Sequence, residues 1–88
     1  MLLKKGIIVR SKKGHDKGRF YVVSDISGST AYIIDGAVRT ASSPKKKNVL
    51  HLAPARTVLS EAQLGSDSEI RRILAVFNGR VALPKEVK

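Results

Sequence analysis

Residues 12–23 read KKGHDKGRFYVV, and the reading of this stretch decides the fold. Its first part holds the cations Lys12, Lys13, Lys17 and Arg19, the glycines Gly14 and Gly18, His15 and Asp16. Phe20, Tyr21, Val22 and Val23 follow at once. Aromatic and β-branched residues fit a pleated, half-buried surface. Arg19–Ile26 therefore reads as a strand, and the residues before it as the turn that feeds it. A Walker-type phosphate loop would need Gly-Lys-Ser/Thr opening a helix. Here Gly18 is followed by Arg19, Phe20 and a strand. The dinucleotide fingerprint fails on spacing and on the same missing helix. What remains is a tight turn, shaped by Gly14 and Gly18 and ringed by cations that can hold anions. Exposed turn amides would add to that grip. Asp16 is expected to hold the turn's shape by capping its amides.

Upstream, Gly6–Arg10 is short, β-branched and bounded by turn signals, so it reads as a strand. Downstream, Ser27-Gly28-Ser29 breaks the second strand and Thr30–Ile34 forms a third. Asp35-Gly36 is a two-residue hairpin signal, with Ala37–Thr40 expected to pair back. Residues 41–48 read as a loop, because Pro44 and the run Lys45–Lys47 oppose regular structure. Val49–Leu52 is a fifth short strand that Pro54 ends, and His51 should face away from Leu50 and Leu52. Five short strands with tight turns give a mainly β fold, a small curled sheet or barrel whose closure protects its edges.

The period then changes. Ile70, Ile73, Leu74 and Phe77 form one apolar helical stripe, with Arg71 and Arg72 off it. Ser66-Asp67-Ser68-Glu69 is a capping box in front, and Asn78-Gly79 a left-handed C-cap behind. This predicts a helix over about 67–78 packed on the sheet. Residues 57–65 fit a short helix or an extended strap. The organisation is a single domain: a barrel over 1–56, a C-terminal extension over 57–79 and a tail over 80–88.

Charge bounds the function. The chain of 88 residues carries 17 Lys and Arg against 7 Asp and Glu, a formal net charge of +10. Residues 1–56 hold 12 basic and 3 acidic side chains, residues 57–88 only 5 and 4. Repulsion concentrated this way calls for a polyanionic partner. There is no cysteine, so packing must supply stability. Two histidines and scattered acids make no metal set and no catalytic constellation. The expectation is a non-enzyme without cofactor, metal or small-molecule substrate. The start MLLKKGIIVR is charged too early for a signal peptide. No apolar run approaches the roughly 18–20 residues of a membrane span. A soluble cytoplasmic protein with no membrane partner is expected.

Gly6-x-x-Val9, Gly14-x-Asp16-Lys17-Gly18-Arg19, Val22-Val23 and Asp35-Gly36 together resemble a KOW motif over roughly residues 5–36. The continuation Pro44-Lys45-Lys46-Lys47-Asn48 and His51-Leu52 is similar to small bacterial KOW-domain RNA-binding proteins. These are related to archaeal and eukaryotic large-subunit ribosomal proteins. With the closing helix, the likeness takes in most of the chain. In the NusG and bacterial ribosomal branch of that family a further glycine usually stands three residues after the Lys-Gly glycine. Tyr21 stands there instead, which favours the ribosomal-protein-like branch.

The resemblance implies an SH3-like β-barrel that binds structured RNA through basic loops; a monomer is expected when it is free. The RNA would be ribosomal, on the large subunit; RNA over DNA rests on the resemblance. The residues expected to contact it are Arg10, Lys12, Lys13, His15, Lys17, Arg19, Arg39, Lys45, Lys46, Lys47 and His51, with Arg56 extending the face. Gly14, Asp16, Gly18, Asp35 and Gly36 shape the turns. Of Phe20 and Tyr21, one should be core and the other free to stack a base. The alternative is a NusG-like transcription-associated factor that contacts nascent RNA or polymerase.

Overall fold

The computed structural model describes residues 3–79. Five strands, β1 (Ile7–Ser11), β2 (Phe20–Ser27), β3 (Thr30–Ile34), β4 (Lys45–Asn48) and β5 (Leu52–Val58), are followed by helices α1 (Glu61–Leu64) and α2 (Asp67–Phe77). The strands form one antiparallel sheet in the order β4-β3-β2-β1-β5. This is the mainly β, small barrel-like fold with a C-terminal helix that the strand pattern predicts.

Both faces of the central strands are covered. Successive strand side chains point to opposite faces, yet Ile7-Ile8-Val9 and Tyr21-Val22-Val23 are buried without interruption. One face packs Ile7, Val9, Tyr21, Val23, Ala31, Ile33 and Leu52 inside the curl. The other packs Ile8, Val22 and Ile34 under Leu59, Ile70 and Leu74. Phe20 and Phe77 close that second layer with ring centroids 5.4 Å apart. Sheet and helix are tied at one further point, where the Phe20 amide donates to Asn78 Oδ1 at 2.9 Å.

Four local expectations are corrected. Ala37–Thr40 does not pair back as a strand. Asp35 Oδ1 accepts from the Ala37 and Arg39 amides, both at 2.9 Å. The Arg39 carbonyl accepts from the Asp35 and Gly36 amides at 2.8 and 3.0 Å. These bonds close the chain on itself. Gly36 sits at φ +79°, and a Cβ there would lie 2.5 Å from the Asp67 carbonyl oxygen. Asp35-Gly36 is thus the seat of α2 rather than a two-residue hairpin turn. Arg71 fastens the seat, its Nη1 donating to the Gly36 carbonyl at 2.6 Å.

Second, Lys45–Asn48 is a strand, paired Ile33↔Lys45 to Thr30↔Asn48 with β3. Third, Val49–His51 is a single 3-10 turn, not a strand, capped by Asn48 Oδ1 accepting from the Leu50 amide at 2.8 Å. Nor does Pro54 end the following strand. It stands opposite Val9 next to a register shift, on an edge strand, where a missing amide is tolerated. Strand β5 so runs past Arg56 into the segment read as an extension.

The segment 57–65 resolves into strand end and short helix. Ser60 forms a complete capping box with Gln63: Ser60 Oγ accepts from the Gln63 amide at 3.2 Å, and Gln63 Oε1 accepts from the Ser60 amide at 2.9 Å. At α2 the box is half made. Ser66 Oγ accepts from the Glu69 amide at 3.3 Å, but the Glu69 carboxylate turns to Arg72 at 2.7 Å. The tail over 80–88 lies outside the described residues. Among those residues, no helix is long and apolar enough to cross a membrane.

Candidate nucleic-acid interface

The turn between β1 and β2 is closed at its base. The Ser11 amide donates to the Arg19 carbonyl at 2.9 Å and the Gly18 amide to the Ser11 carbonyl at 2.8 Å. Inside it, Lys17 donates to the Gly14 carbonyl and Arg19 to the Asp16 carbonyl, at 3.1 and 2.9 Å. Gly14 and Gly18 take φ of +92° and +91°, a region L side chains avoid. The glycine positions are as the sequence predicts. The amides of Lys17, Gly18 and Arg19 are spent on the turn itself, so anion binding there falls mainly to side chains.

Asp16 is the centre of the arrangement. Its side chain is only 6% exposed. It does not cap turn amides, as the sequence reading has it. Its carboxylate accepts from the buried Ser11 hydroxyl at 2.8 Å, from Lys45 Nζ at 2.7 Å and from Lys47 Nζ at 3.0 Å. Burial by itself pushes the Asp16 carboxyl up. The hydrogen bonds from Lys45, Lys47 and Ser11, with the Lys45 charge, outweigh it and hold the group well below the usual carboxylate range. Lys47 adds a second tie, donating to the Lys13 carbonyl at 2.8 Å.

The period of a strand explains which lysines are taken. Along β4, Lys45 and Lys47 share a face and Lys46 points the other way. Lys45 and Lys47 are partly buried on Asp16; Lys46 is exposed. The two basic segments, 12–19 and 44–48, do meet, but through a carboxylate that takes up part of their charge. Left exposed are Lys12, Lys13, Lys17, Arg19 and Lys46, with His15 among them. The Lys12 amide donates to the His51 carbonyl at 2.8 Å, which draws the turn against the 3-10 segment. His51 itself is half-buried.

The remaining candidates are spread out. Arg10 is exposed on β1, in register with Phe20 and Ala53. Arg56 is exposed on β5, and Arg39 is half-buried in the loop that seats α2. Arg19 reaches towards that loop: with Asp35, Arg71 and Asn78 it lines a cleft of about 80 Å³. Arg71 is a residue the sequence reading left unassigned. The Arg71-Arg72 pair was visible, but nothing local separated Arg72, bound to Glu69, from Arg71, bound to Gly36. The aromatics do not divide as expected. Tyr21 is core, but Phe20 is also engaged, half-buried against Phe77.

Compared with known proteins, the chain matches no protein-family model and no curated sequence.

Proposed function

We propose that this protein binds structured RNA through the exposed cations Lys12, Lys13, Lys17, Arg19 and Lys46. One observation carries the reading. The only acid in the 12–19 turn is buried and already paired with two lysines, so the cations around it face solvent without a counter-ion on the turn. Arg19 can fork onto a phosphate while the lysines act as mobile point charges. Phosphate contacts supply affinity, and the shape of the folded RNA supplies selectivity. The KOW resemblance supports RNA over DNA and a site on the large ribosomal subunit. On this reading the chain is a cytoplasmic binding module without cofactor or catalytic step.

Five phosphate contacts give a plot of log K against log salt with a slope of roughly −3.5 to −4.5. A flat plot refutes the phosphate reading. Crosslinking in cells followed by sequencing of bound RNA tests the target. Reads concentrated on one large-subunit ribosomal RNA helix support it. Nascent transcripts together with co-sedimenting polymerase would favour the transcription-associated alternative.

A further inference from the structure

Beside the cationic face lies an apolar hollow that phosphate binding does not use. Leu3, Ile26, Gly28, Val49, Leu50, Leu52 and Pro54 line a cavity of about 210 Å³. Leu50 stands at its rim, 76% exposed. The backbone holds it there. The Leu50 amide is bound to Asn48 Oδ1, and the Val49 amide donates to the Ser29 carbonyl at 2.9 Å. Both bonds pin the backbone of the 3-10 turn and so fix where the Leu50 side chain leaves the chain.

The hollow is continuous with the cations. His51, between the lining residues Leu50 and Leu52, accepts from the Lys12 amide. The exposed Lys4 follows the lining residue Leu3. A hollow with aliphatic side chains next to the cationic turn fits a ligand with apolar faces carried on a phosphate chain. The cavity falls below the roughly 300–1,000 Å³ of pockets for drug-sized ligands, which suits one planar group.

We propose that this hollow receives one unstacked nucleobase of the bound RNA, with Lys12 on a flanking phosphate. The inference rests on the RNA-binding reading. Structured RNA offers such bases in loops and bulges, and leucine and proline side chains are used elsewhere as apolar wedges against bases. The side chains that line it are aliphatic, and backbone polar atoms, those of Gly28 among them, stand between them. The rival occupant, an apolar side chain of a protein, would gain nothing from the adjoining lysines.

A double-mutant cycle tests this. The probes are a short RNA hairpin with one bulged adenine and the same hairpin with an abasic bulge. Wild type should bind the first about 5–20-fold tighter than the second, the range of base-stacking losses. Leu50→Ser should lose a similar factor on the adenine hairpin and nothing on the abasic one. Because Leu50 is exposed, the variant should keep the wild-type melting temperature, and a thermal melt checks it. Equal affinity of wild type for both hairpins, with Leu50→Ser neutral, overturns the base pocket and leaves RNA binding standing. Independent losses from the two changes overturn it as well. Binding of neither hairpin at low salt overturns the RNA reading and the pocket with it.

Discussion

Asp16→Asn is the most informative single change. Asparagine keeps the shape of the side chain and one accepting oxygen, but removes the charge that two lysines share. In the folded protein Lys45 is 31% exposed and Lys47 12% exposed. Lys45 can swing into water; Lys47, also tied to the Lys13 carbonyl, is held. Removing one partner of a fully buried ion pair costs about 3–5 kcal/mol. Discounting for the exposure of Lys45 leaves about 2–4 kcal/mol. A domain of this size has a total stability on the order of 4–13 kcal/mol, so the loss is a large fraction of it. The expected fall in melting temperature is about 10–25 °C.

The pH dependence gives a second, independent reading. The carboxyl is held below its ordinary range when folded. Its contribution is therefore fully present above the unfolded-state value, near pH 4, and is lost as pH falls below that. The gap between wild type and Asp16→Asn should be widest at neutral pH and shrink on acidification towards pH 2. Chemical denaturation of both proteins at a series of pH values measures it. A variant within about 0.5 kcal/mol of wild type at pH 7, the range of ordinary surface substitutions, would refute the idea that Asp16 joins the turn to β4. So would a gap that does not change with pH.

The neighbouring lysines should separate. Lys46→Ala lowers the salt slope of RNA binding by about 0.7–0.9 and leaves the melting temperature alone. Lys47→Ala lowers the melting temperature and leaves the slope; identical behaviour of the two would contradict the division of roles. Gly36→Ala puts a Cβ 2.5 Å from the Asp67 carbonyl at a positive φ, and should cost roughly 2–4 kcal/mol in denaturation. Gly18→Ala meets no atom within 4 Å, so only the strained φ counts, about 1–2 kcal/mol. Ser60→Ala should cost about 1 kcal/mol by opening the capping box of α1, read as faster amide exchange at Gln63.

Much of the fold was legible because its signals are short-range. The aromatic and β-branched run after Gly18 needed only its own neighbours to be a strand, and Ile70, Ile73, Leu74 and Phe77 needed only their spacing to be a helix face. The failures share one cause. Lys45–Lys47 looked like a loop because three like charges repel, until a carboxylate from 29 and 31 residues away is counted. Asp35-Gly36 looked like a hairpin turn because nothing local announces that α2 will rest on Gly36. The candidate site suffered the same way: its cations were visible, but their division into paired and free was not.

By itself, then, the sequence determined the first three strands with their apolar faces, where the helix begins, and an excess of positive charge. Propensity, period and net charge are properties of a segment or of the whole composition, and need no knowledge of contacts. The tertiary structure decided which of those charges a ligand can reach. Pairing β4 with β3 and curling the sheet bring Lys45 and Lys47 onto Asp16 and turn Lys46 outward. A carboxylate that is buried must be neutralised by whatever cations the fold brings within about 3 Å of it, and only the folded chain selects them.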